Sequence, residues 1–598
     1  MSVFAGLLLI GATSCVDEWS DHYASNVNGN GTLWQSISDD ASLSNFKQLL
    51  EATGYDAALN GNQVFTIFAP TNDELTAEKT AALIAQYNKE KNGYVDENGN
   101  KVAPVKDSKN SVIKEFIQNH ISLYNYSVSN AMKDTTISMM NGKNVTFTKN
   151  GFAGSEYVKS NVLTGNGVLF SIGNVAKYNP NVYEYLGKDE QLDSVYKYLS
   201  KYNIEEFDPK RSVPGEIKDG KTHYLDSVTV TQNDILENKL YALLENEDST
   251  YWMLAPTNEV WKELYEKTSK YFVYDKKVSK AERDSLTFHH PRLAILQGTT
   301  FTKTFNKSVF QKMSSTEEDS LMSTNAASYL SRKYMWGSYD KKYYQFTNPF
   351  GKGGVLDGAE VIDCSNGKIL KASTWNVKPE ETYLREIVMD FTSSATVDSL
   401  NLKTTSNKSG DTSGKVVRVS SDNPYYHKVH NDAYLELTAI SASNMSKNLF
   451  DIRNVLSNVP YDVYIVTVPA EADNKVPTDL QKLPTIFRVS FQCNNEDGNA
   501  YYINTADGKL QYQVYKNNEI GQGPTTNNTQ SKILTQLETK PGVLDTLFVG
   551  TYTFPTSSYG LDEAQVKMLI DSRVSSSSKT HNRILRLDCI IFKPRKDN

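Results

Sequence analysis

The chain has 598 residues, with 63 Lys and Arg against 70 Asp and Glu, and a formal net charge of −7. It is too long for one hydrophobic core, so several domains are expected. The charges form no basic blocks, which argues against nucleic acid as a partner. With 4 cysteines in all, the chain is not a disulfide-stapled scaffold.

The N-terminus predicts a lipid anchor. The apolar run Val3–Gly11 is too short to span a bilayer, and the small residues Ala12–Ser14 lead directly into Cys15. This pattern resembles a bacterial lipoprotein signal peptide over residues 1–14, which implies acylation of Cys15. An ordinary cleaved signal is the alternative, and no Lys or Arg precedes the apolar run. Residues 15–32 then form an acylated terminus and a flexible tether.

An acidic segment, Val16–Tyr23, follows Cys15. It resembles the surface-export signal of Bacteroidetes lipoproteins, which implies a protein anchored in the outer membrane and facing the cell exterior. A solvated acidic tail is the alternative.

The string Ala-Pro-Thr-Asn occurs twice, within Val64–Asp73 and within Tyr251–Glu259. The copies are too far apart for a solenoid repeat and suit two successive domains. In each copy an apolar, β-branched run stops at a proline, and Thr-Asn then offers side-chain oxygens for a helix cap. The string therefore predicts a strand-to-helix corner, duplicated along the chain.

The first corner also fits a capping box. Thr71 and Glu74 have the S/T-x-x-E spacing, which predicts a helix over Asp73–Tyr87. In the second copy Val260 replaces the glutamate, so a simple cap at Thr257 is predicted.

A second pair of strings makes the duplication specific. Asn166-Gly167 and Asn366-Gly367 each predict a turn that leads into a strand. Between the first corner and its Asn-Gly turn lie an amphipathic helix, Ile113–Ile121, and the segment Thr136–Lys143.

This order resembles a fasciclin-type domain, closely over residues 33–186 and partly over residues 187–375. The resemblance includes the central His120-Ile121 and a Thr-Leu-x-Gly-Lys-like hairpin ending at Lys143. It implies two tandem fasciclin-like domains. His289-His290 in the second copy does not align securely with the central histidine.

The middle of the chain is rich in tyrosine. Tyr334–Tyr339 and Tyr343–Phe346 predict the two strands of a hairpin. Exposed aromatic rings stack on sugar faces, so Tyr334, Trp336 and Tyr344 are candidate glycan-binding residues. The alternative is that these rings form the core of the second domain.

From residue 376 to 598 strand-like runs alternate with polar turns, which predicts an antiparallel β-sandwich. The runs are Glu386–Phe391, Val416–Val419, Tyr434–Ile440, Tyr461–Val468, Thr485–Gln492, Leu510–Val514, Asp545–Phe554 and Leu585–Phe592. The segments Val459–Tyr464 and Leu585–Pro594 resemble strands of jelly-roll carbohydrate-binding modules. The predicted fold class is therefore α+β, with two fasciclin-like domains before a jelly-roll-like sandwich.

Two adjacent tyrosine pairs in this region are further ligand-binding candidates. Alternation along a strand places one ring of each pair outside. The pairs are Tyr425 with Tyr426, and Tyr501 with Tyr502.

The cysteines and histidines carry little chemistry. Cys493 and Cys589 could form a disulfide, and buried free thiols are the alternative. His427 and His430 lack the acidic neighbours of a zinc site, and Asp96–Asn100 fits a hairpin better than a calcium loop. No metal and no cofactor are therefore predicted.

No nucleophile elbow, Walker loop, zinc-protease or dinucleotide-binding motif occurs in the sequence, so we do not expect an enzyme. The predicted function is that of a surface lipoprotein that binds a polysaccharide or oligosaccharide. It would act as an accessory component of an outer-membrane polysaccharide import system, with a starch-utilisation-type transporter complex as partner. The alternative is an adhesin that binds host, matrix or neighbouring-cell surfaces through its fasciclin-like domains.

Overall fold

The computed structural model describes residues 31–96, 99, 101–209, 212–218, 221–226, 229–326, 343–392, 412–503, 510–513, 534–562 and 565–595. We name its elements in three groups: the N-terminal unit (Leu33–Ile172), the middle unit (Val182–Ala372) and the C-terminal unit (Ile387–Pro594). Cys15, Tyr334 and Trp336 lie outside the described residues.

The N-terminal unit packs short helices against one sheet. Its α-helices are α1 (Leu33–Ser38), α2 (Ser44–Thr53), α3 (Tyr55–Leu59) and α4 (Ala77–Asn92). Its strands are β1 (Phe65–Pro70), β2 (Tyr94–Val95), β3 (Lys101–Val102), β4 (Ile121–Ser122), β5 (Thr135–Ser138), β6 (Asn144–Phe147), β7 (Gly151–Phe152), β8 (Ser155–Thr164) and β9 (Gly167–Ile172). The sheet order is β4-β1-β9-β8-β7-β6-β5, and β2 pairs with β3 as a separate hairpin.

The central strands of this sheet are the two strings that the sequence singled out. β1 and β9 run parallel, with Phe65 opposite Gly167 and Pro70 opposite Ile172. Every residue of both strands is buried, as expected for central strands covered on both faces. Glycine is needed at 167, because φ is +150° and a Cβ there would lie 2.0 Å from the carbonyl oxygen of Phe65.

Asn166 joins three segments at the start of β9. Its Oδ1 accepts a hydrogen bond from the backbone N–H of Leu33 at 2.7 Å. Its Nδ2 donates to the carbonyl oxygens of Leu59 and Gly61 at 2.9 and 2.8 Å. The Asn-Gly turn thus fixes α1 and α3 against the sheet.

The middle unit contains a second, smaller sheet. Its α-helices are α5 (Val182–Lys188), α6 (Asp193–Leu199), α7 (Asn258–Ser269), α8 (Lys280–Leu296) and α9 (Lys307–Lys312). Its strands are β10 (Asn203–Phe207), β11 (Val213–Lys218), β12 (Lys221–Asp226), β13 (Thr229–Asn233), β14 (Tyr251–Pro256), β15 (Thr300–Thr302), β16 (Ser320–Met322), β17 (Gln345–Thr347), β18 (Glu360–Cys364) and β19 (Gly367–Ala372). The sheet order is β15-β14-β19-β18, and β10 with β13, β11 with β12, and β16 with β17 form separate pairs.

β14 and β19 repeat the geometry of β1 and β9. They run parallel, with Tyr251 opposite Gly367. Asn366 accepts from the backbone N–H of Val182 at 2.9 Å and donates to the carbonyl oxygens of Leu244 and Asn246 at 2.8 and 3.0 Å. The duplicated strings therefore occupy equivalent positions in the two units.

The first corner differs from the prediction. α4 begins at Ala77 rather than near Asp73, and its side-chain cap is Thr76, which accepts from the N–H of Lys79 at 3.3 Å. The capping box at Thr71 was wrong, because the chain makes an extra turn before the helix starts.

At the second corner, Thr257 makes no side-chain cap hydrogen bond. The hydrogen bond that both corners share is accepted by the asparagine of the string. Asn72 accepts from the N–H of Asn45, and Asn258 accepts from the N–H of Ser194, each at 3.0 Å. Each asparagine ties its corner to the preceding helical segment.

The predicted helix over Ile113–Ile121 is irregular. A π-helical turn, Val112–Ile117, is followed by a 3₁₀ turn, Gln118–His120, and then by β4. His120 is fully buried, with Nδ1 at 2.7 Å from the carbonyl oxygen of Phe116 and Nε2 accepting from the N–H of Ala176. Burial lowers the pKa of His120 to about 4, so the ring is a neutral structural hydrogen-bonding group.

The second strand of the predicted aromatic hairpin pairs with a strand other than the one predicted. β17 pairs with β16, so that Phe346 lies opposite Leu321. The proposed partner strand, Tyr334–Tyr339, lies outside the described residues.

The C-terminal unit consists of two antiparallel sheets. Its strands are β20 (Ile387–Asp390), β21 (Thr412–Arg418), β22 (Ala433–Ala439), β23 (Lys447–Ile452), β24 (Pro460–Thr467), β25 (Ile486–Asn494), β26 (Ala500–Ile503), β27 (Leu510–Gln513), β28 (Thr535–Glu538), β29 (Asp545–Thr553), β30 (Val566–Ser572) and β31 (Ile584–Pro594). One sheet has the order β21-β22-β31-β24-β29, with β20 also on β31. The other has the order β23-β30-β25-β26-β27, with β28 also on β25.

Each strand-like run of the sequence corresponds to one of these strands, while β23, β26, β28 and β30 were missed. β30 is buried at nearly every position, so it shows no alternation that sequence reading could detect. The two sheets enclose one apolar core, which includes Phe450, Val489, Met568, Leu437, Ile465 and Phe592.

This core extends into the middle unit. Phe272 and Tyr274, between α7 and α8, belong to the same buried cluster as the C-terminal sheets. The Tyr274 hydroxyl donates to the carbonyl oxygen of Tyr559 at 3.0 Å, and Ser457 Oγ donates to the carbonyl oxygen of Lys270 at 3.0 Å. We call this contact the apolar junction.

Candidate functional site

The contact between the N-terminal and middle units, which we call the polar junction, is built around Lys143. This residue follows the turn at Gly142, whose φ is +83°. Asn141 fixes the turn by accepting from the N–H of Lys143 at 3.1 Å and donating to the carbonyl oxygen of Lys114 at 3.0 Å. The turn thereby directs the Lys143 side chain toward the middle unit.

The ammonium group of Lys143 is buried and fully paired. It lies 2.7 Å from Glu184, 2.6 Å from Glu247 and 3.2 Å from the hydroxyl of Ser365, all in the middle unit. Only 5% of its side chain is exposed. A lysine ammonium has three N–H donors, and here each has an acceptor, which offsets the cost of burying the charge.

Glu184 is held by several donors at once. Lys114 lies 2.7 Å from its second oxygen, the Tyr178 hydroxyl donates at 2.6 Å, and the N–H of Asn181 donates at 3.0 Å in a capping box at the start of α5. Burial opposes ionisation, but the two lysine ammonium groups outweigh it and lower the pKa of Glu184 to about 2. Glu184 is therefore a fixed anion.

A cleft with a volume of 780 Å³ opens beside this ionic cluster, lined by both units. Its walls carry amide, hydroxyl, ammonium and carboxylate groups together with tyrosine rings. Representative residues are Lys114, Asn144, Tyr196, Asn203, Thr231 and Glu245. Among the residues lining it, carboxylates outnumber ammonium groups.

Glu245 is the least compensated carboxyl group of the cleft. Burial raises its pKa to about 7, against the opposing effect of Lys114. It has no ion-pair partner within 4.0 Å among the described residues. Near neutral pH this group is both a hydrogen-bond donor and an acceptor.

The structure describes Tyr344, Tyr425, Tyr426, Tyr501 and Tyr502 among the sequence-predicted ligand residues, and it places them in separate parts of the fold. Tyr344 is 5% exposed, and burial raises its pKa to about 12. Tyr502 is 3% exposed on β26, while Tyr501 on the same strand is half-buried. The prediction that Tyr344 offers a ring face was wrong, because its side chain packs in a core, as the alternative held. Buried Tyr502 beside half-buried Tyr501 fits the prediction that one ring of this pair lies outside.

Tyr425 and Tyr426 lie in a turn rather than on a strand. Both are half-buried against a small apolar cluster beside β21 and β22. The Tyr425 hydroxyl donates to the carbonyl oxygen of Gly542 at 2.7 Å. The alternation argument therefore does not apply to this pair.

Cys493 and Cys589 are buried free thiols, as is Cys364. The suggested disulfide was wrong, and the alternative of buried free thiols is confirmed. Burial raises the pKa of both thiols, so neither is a reactive thiolate.

His427 and His430 contact different carboxylates, Asp432 at 3.2 Å and Asp390 at 3.1 Å. Across the described ranges no group of three His, Cys, Asp or Glu side chains has the arrangement of a metal site.

Sequence reasoning reached Lys143 and missed most of the cleft. Asn181 and Glu184 do have the N-x-x-E spacing of a capping box, which marks a helix start but not a site. Glu245 lies on an irregular segment before β14 and carries no sequence signal.

With this geometry established, comparison with known proteins gives one family match. Residues 41–177 match the family model described as "Fasciclin domain". Fasciclin domains occur in cell-surface or extracellular proteins and are associated with cell adhesion. No curated protein matches the chain. In the part of the chain that the structure describes, no helix is both long and apolar enough to cross a membrane.

Two solved structures are similar over parts of the chain. One is the FAS1 domain pair of the insect cell adhesion molecule Fasciclin I, with 12% identity, a TM-score of 0.19, and coverage of 57% of this chain and 98% of that one. The other is the enzymatically active domain of tailspike protein 4 of bacteriophage CBA120, with 8% identity, a TM-score of 0.15, and coverage of 30% and 17%.

Proposed function

We propose that this chain is a non-enzymatic, lipid-anchored cell-surface protein that binds a neutral polysaccharide or oligosaccharide in the cleft of the polar junction. It would act as an accessory component of an outer-membrane polysaccharide import system of the starch-utilisation type. The observation that carries the proposal is the cleft itself, 780 Å³ in volume and lined by amides, hydroxyls and carboxyl groups.

The chemistry of the lining favours a neutral sugar. Each sugar hydroxyl both donates and accepts, so it is best matched by side chains that do the same, such as Asn203, Thr231 and Glu245. The excess of carboxylates around the cleft disfavours an acidic glycan by charge repulsion.

The remaining parts of the proposal come from the sequence. The lipid anchor at Cys15 rests on the lipoprotein-like signal, and the outward orientation rests on the acidic segment after it. We further propose that the C-terminal unit is a jelly-roll-like module. The order of its strands supports this, since β22, β23, β24 and β25 lie alternately in one sheet and the other.

Affinity electrophoresis of the full mature chain in gels containing neutral polysaccharides tests the ligand. We expect retardation by at least one polymer, and Glu245→Ala should weaken binding by about tenfold, since one buried hydrogen-bonding group costs about 1.4 kcal/mol or more. Glu263→Ala on the exposed face of α7 is the control. The proposal fails if no neutral polymer retards the chain, or if both variants bind alike.

The anchor has its own test. Cys15→Ala should release the protein from membranes, and protease added to intact cells should degrade the wild-type protein. Degradation only after lysis would show that the orientation is wrong.

Adhesion is the second candidate function, and the fasciclin domain match favours it. It predicts binding to a protein or a cell surface, with no glycan of a broad panel retained.

A further inference from the structure

A second cavity lies on the middle unit where α6, α7 and α8 meet. Its volume is 720 Å³, and it shares no lining residue with the cleft of the polar junction. Trp261 and Tyr265 of α7, one turn apart, line one wall, and Phe288 and Arg292 of α8, also one turn apart, line another. We call this cavity the basic groove.

The charges of the basic groove are mostly positive. Lys197, Lys201, Lys262 and Arg292 line it, with Glu259 as the carboxylate in the lining. Lys197 is paired with Asp193 at 2.6 Å. No carboxylate of the described residues lies within 4.0 Å of Lys201 or Lys262.

Aromatic rings hold two of these cations in place. The Arg292 guanidinium lies 3.9 Å from the ring centre of Tyr265 and 4.2 Å from that of Phe288. The Lys201 ammonium lies 3.8 Å from the Phe288 ring centre. A cation–π contact orients a charge without neutralising it, so the groove presents fixed cations to a ligand.

The walls decide between classes of anionic ligand. They are formed by helices and by the 3₁₀ turn Ser200–Tyr202, so an extended peptide finds no strand edge to pair with. The available groups are side-chain cations and the half-buried rings of Tyr265 and Phe288, since Trp261 and Tyr198 are almost fully buried. A chain of sugar rings bearing carboxylate or sulfate groups matches this combination.

We propose that the basic groove binds an acidic polysaccharide, whose anionic groups pair with Lys201, Lys262 and Arg292. This goes beyond the neutral ligand proposed for the cleft, since it concerns a different site and a ligand of opposite electrostatic preference.

The test uses the full mature chain with polygalacturonate and chondroitin sulfate as probes. The wild type should bind at least one of them, with an affinity that falls as salt rises. The double variant Lys201→Ala/Lys262→Ala should bind about tenfold more weakly, because two charge-assisted contacts are lost. The matched control, Lys267→Ala/Lys280→Ala, removes the same charge from side chains that are 71% and 81% exposed outside the groove, and should bind as the wild type does.

Three results would overturn the proposal. One is absence of wild-type binding to both acidic polymers, and another is unchanged binding by the groove variant. The third is that the wild type binds poly-glutamate as strongly as the acidic polysaccharide and that the groove variant loses this binding. That result would assign the groove to acidic peptides. Binding of neutral polymers is measured on the same wild-type and variant proteins, together with the effect of Glu245→Ala on it. Failure of the cleft is thereby distinguished from failure of the basic groove.

Discussion

The middle unit is joined to its two neighbours by chemically opposite contacts. Toward the N-terminal unit, Lys143 is buried between Glu184 and Glu247. Toward the C-terminal unit, Phe272 and Tyr274 enter a shared apolar core. Buried charges depend on the protonation and presence of each partner, whereas apolar burial responds little to pH. We therefore expect the stability of the polar junction to depend on pH and on each charged partner. We expect the apolar junction to hold the middle and C-terminal units together with little dependence on pH.

The largest effect should come from truncating the apolar junction. Phe272→Ala removes a side chain that is 2% exposed and contacts both His290 and Tyr559. The free energy of unfolding should fall by about 3 to 5 kcal/mol, as for other buried phenylalanines, measured by urea denaturation of the full chain. Phe548→Ala, at a side chain that is 51% exposed, is the control. Equal losses in the two variants would contradict a shared core at the apolar junction.

The polar junction should be broken by Lys143→Met. This change leaves Glu247 buried without its ammonium partner, and we expect a loss of about 3 kcal/mol in the free energy of unfolding. Adding Glu247→Gln should recover part of that loss, because the unpaired charge is then removed. Lys197→Met, at an exposed ion pair, should cost less than about 1 kcal/mol. If the effects of Lys143→Met and Glu247→Gln on the free energy of unfolding are strictly additive, the two side chains are not coupled.

A smaller effect should appear with pH. The pKa of Glu245 is about 7 in the folded chain against an ordinary value of 4.5. The folded chain thus keeps a proton that the unfolded chain releases, and the stabilisation from this proton is fully present below pH 4.5 and lost as pH rises through 7. Denaturation series of the wild type and Glu245→Gln should diverge over this window by on the order of 1 kcal/mol. Glu184 has the opposite shift, to about 2, and its contribution is lost only in acid below that window. Parallel series would show that Glu245 is not buried as described.

The smallest effect concerns the thiols. Cys493 and Cys589 are free, so a reducing agent should change the free energy of unfolding of the C-terminal unit by less than about 0.5 kcal/mol. A thiol reagent should label both only on unfolding. A marked loss of stability on reduction would indicate a cross-link.

Part of the fold could be predicted from the sequence. The Ala-Pro-Thr-Asn and Asn-Gly strings identified the central strands of two sheets, because a proline stop and a close-approach glycine leave local signals. The cap at Thr71 failed, since the position where a helix starts also depends on what it packs against. The prediction for Tyr344 failed because residue type does not tell which side of a chain faces a core.

The residues of the candidate site were harder to predict from the sequence than the fold was. Lys143, Glu184 and Glu245 come from three separate segments, and only the tertiary structure brings them together. The basic groove likewise draws on three helices and the 3₁₀ turn that holds Lys201, whose charged residues resemble ordinary solvated faces in the sequence.

The two Asn-Gly turns also have a chemical consequence. In an unfolded chain, asparagine before glycine readily cyclises and deamidates, because the next backbone nitrogen is unhindered. In the folded chain four hydrogen bonds hold the amide group of Asn166 and three hold that of Asn366, and both residues are almost fully buried. An aspartate at either position would turn a carboxylate oxygen toward two carbonyl oxygens in place of a donor. Folding therefore protects these two residues from ageing, and a chain that deamidates before it folds loses the joint on which its sheet depends.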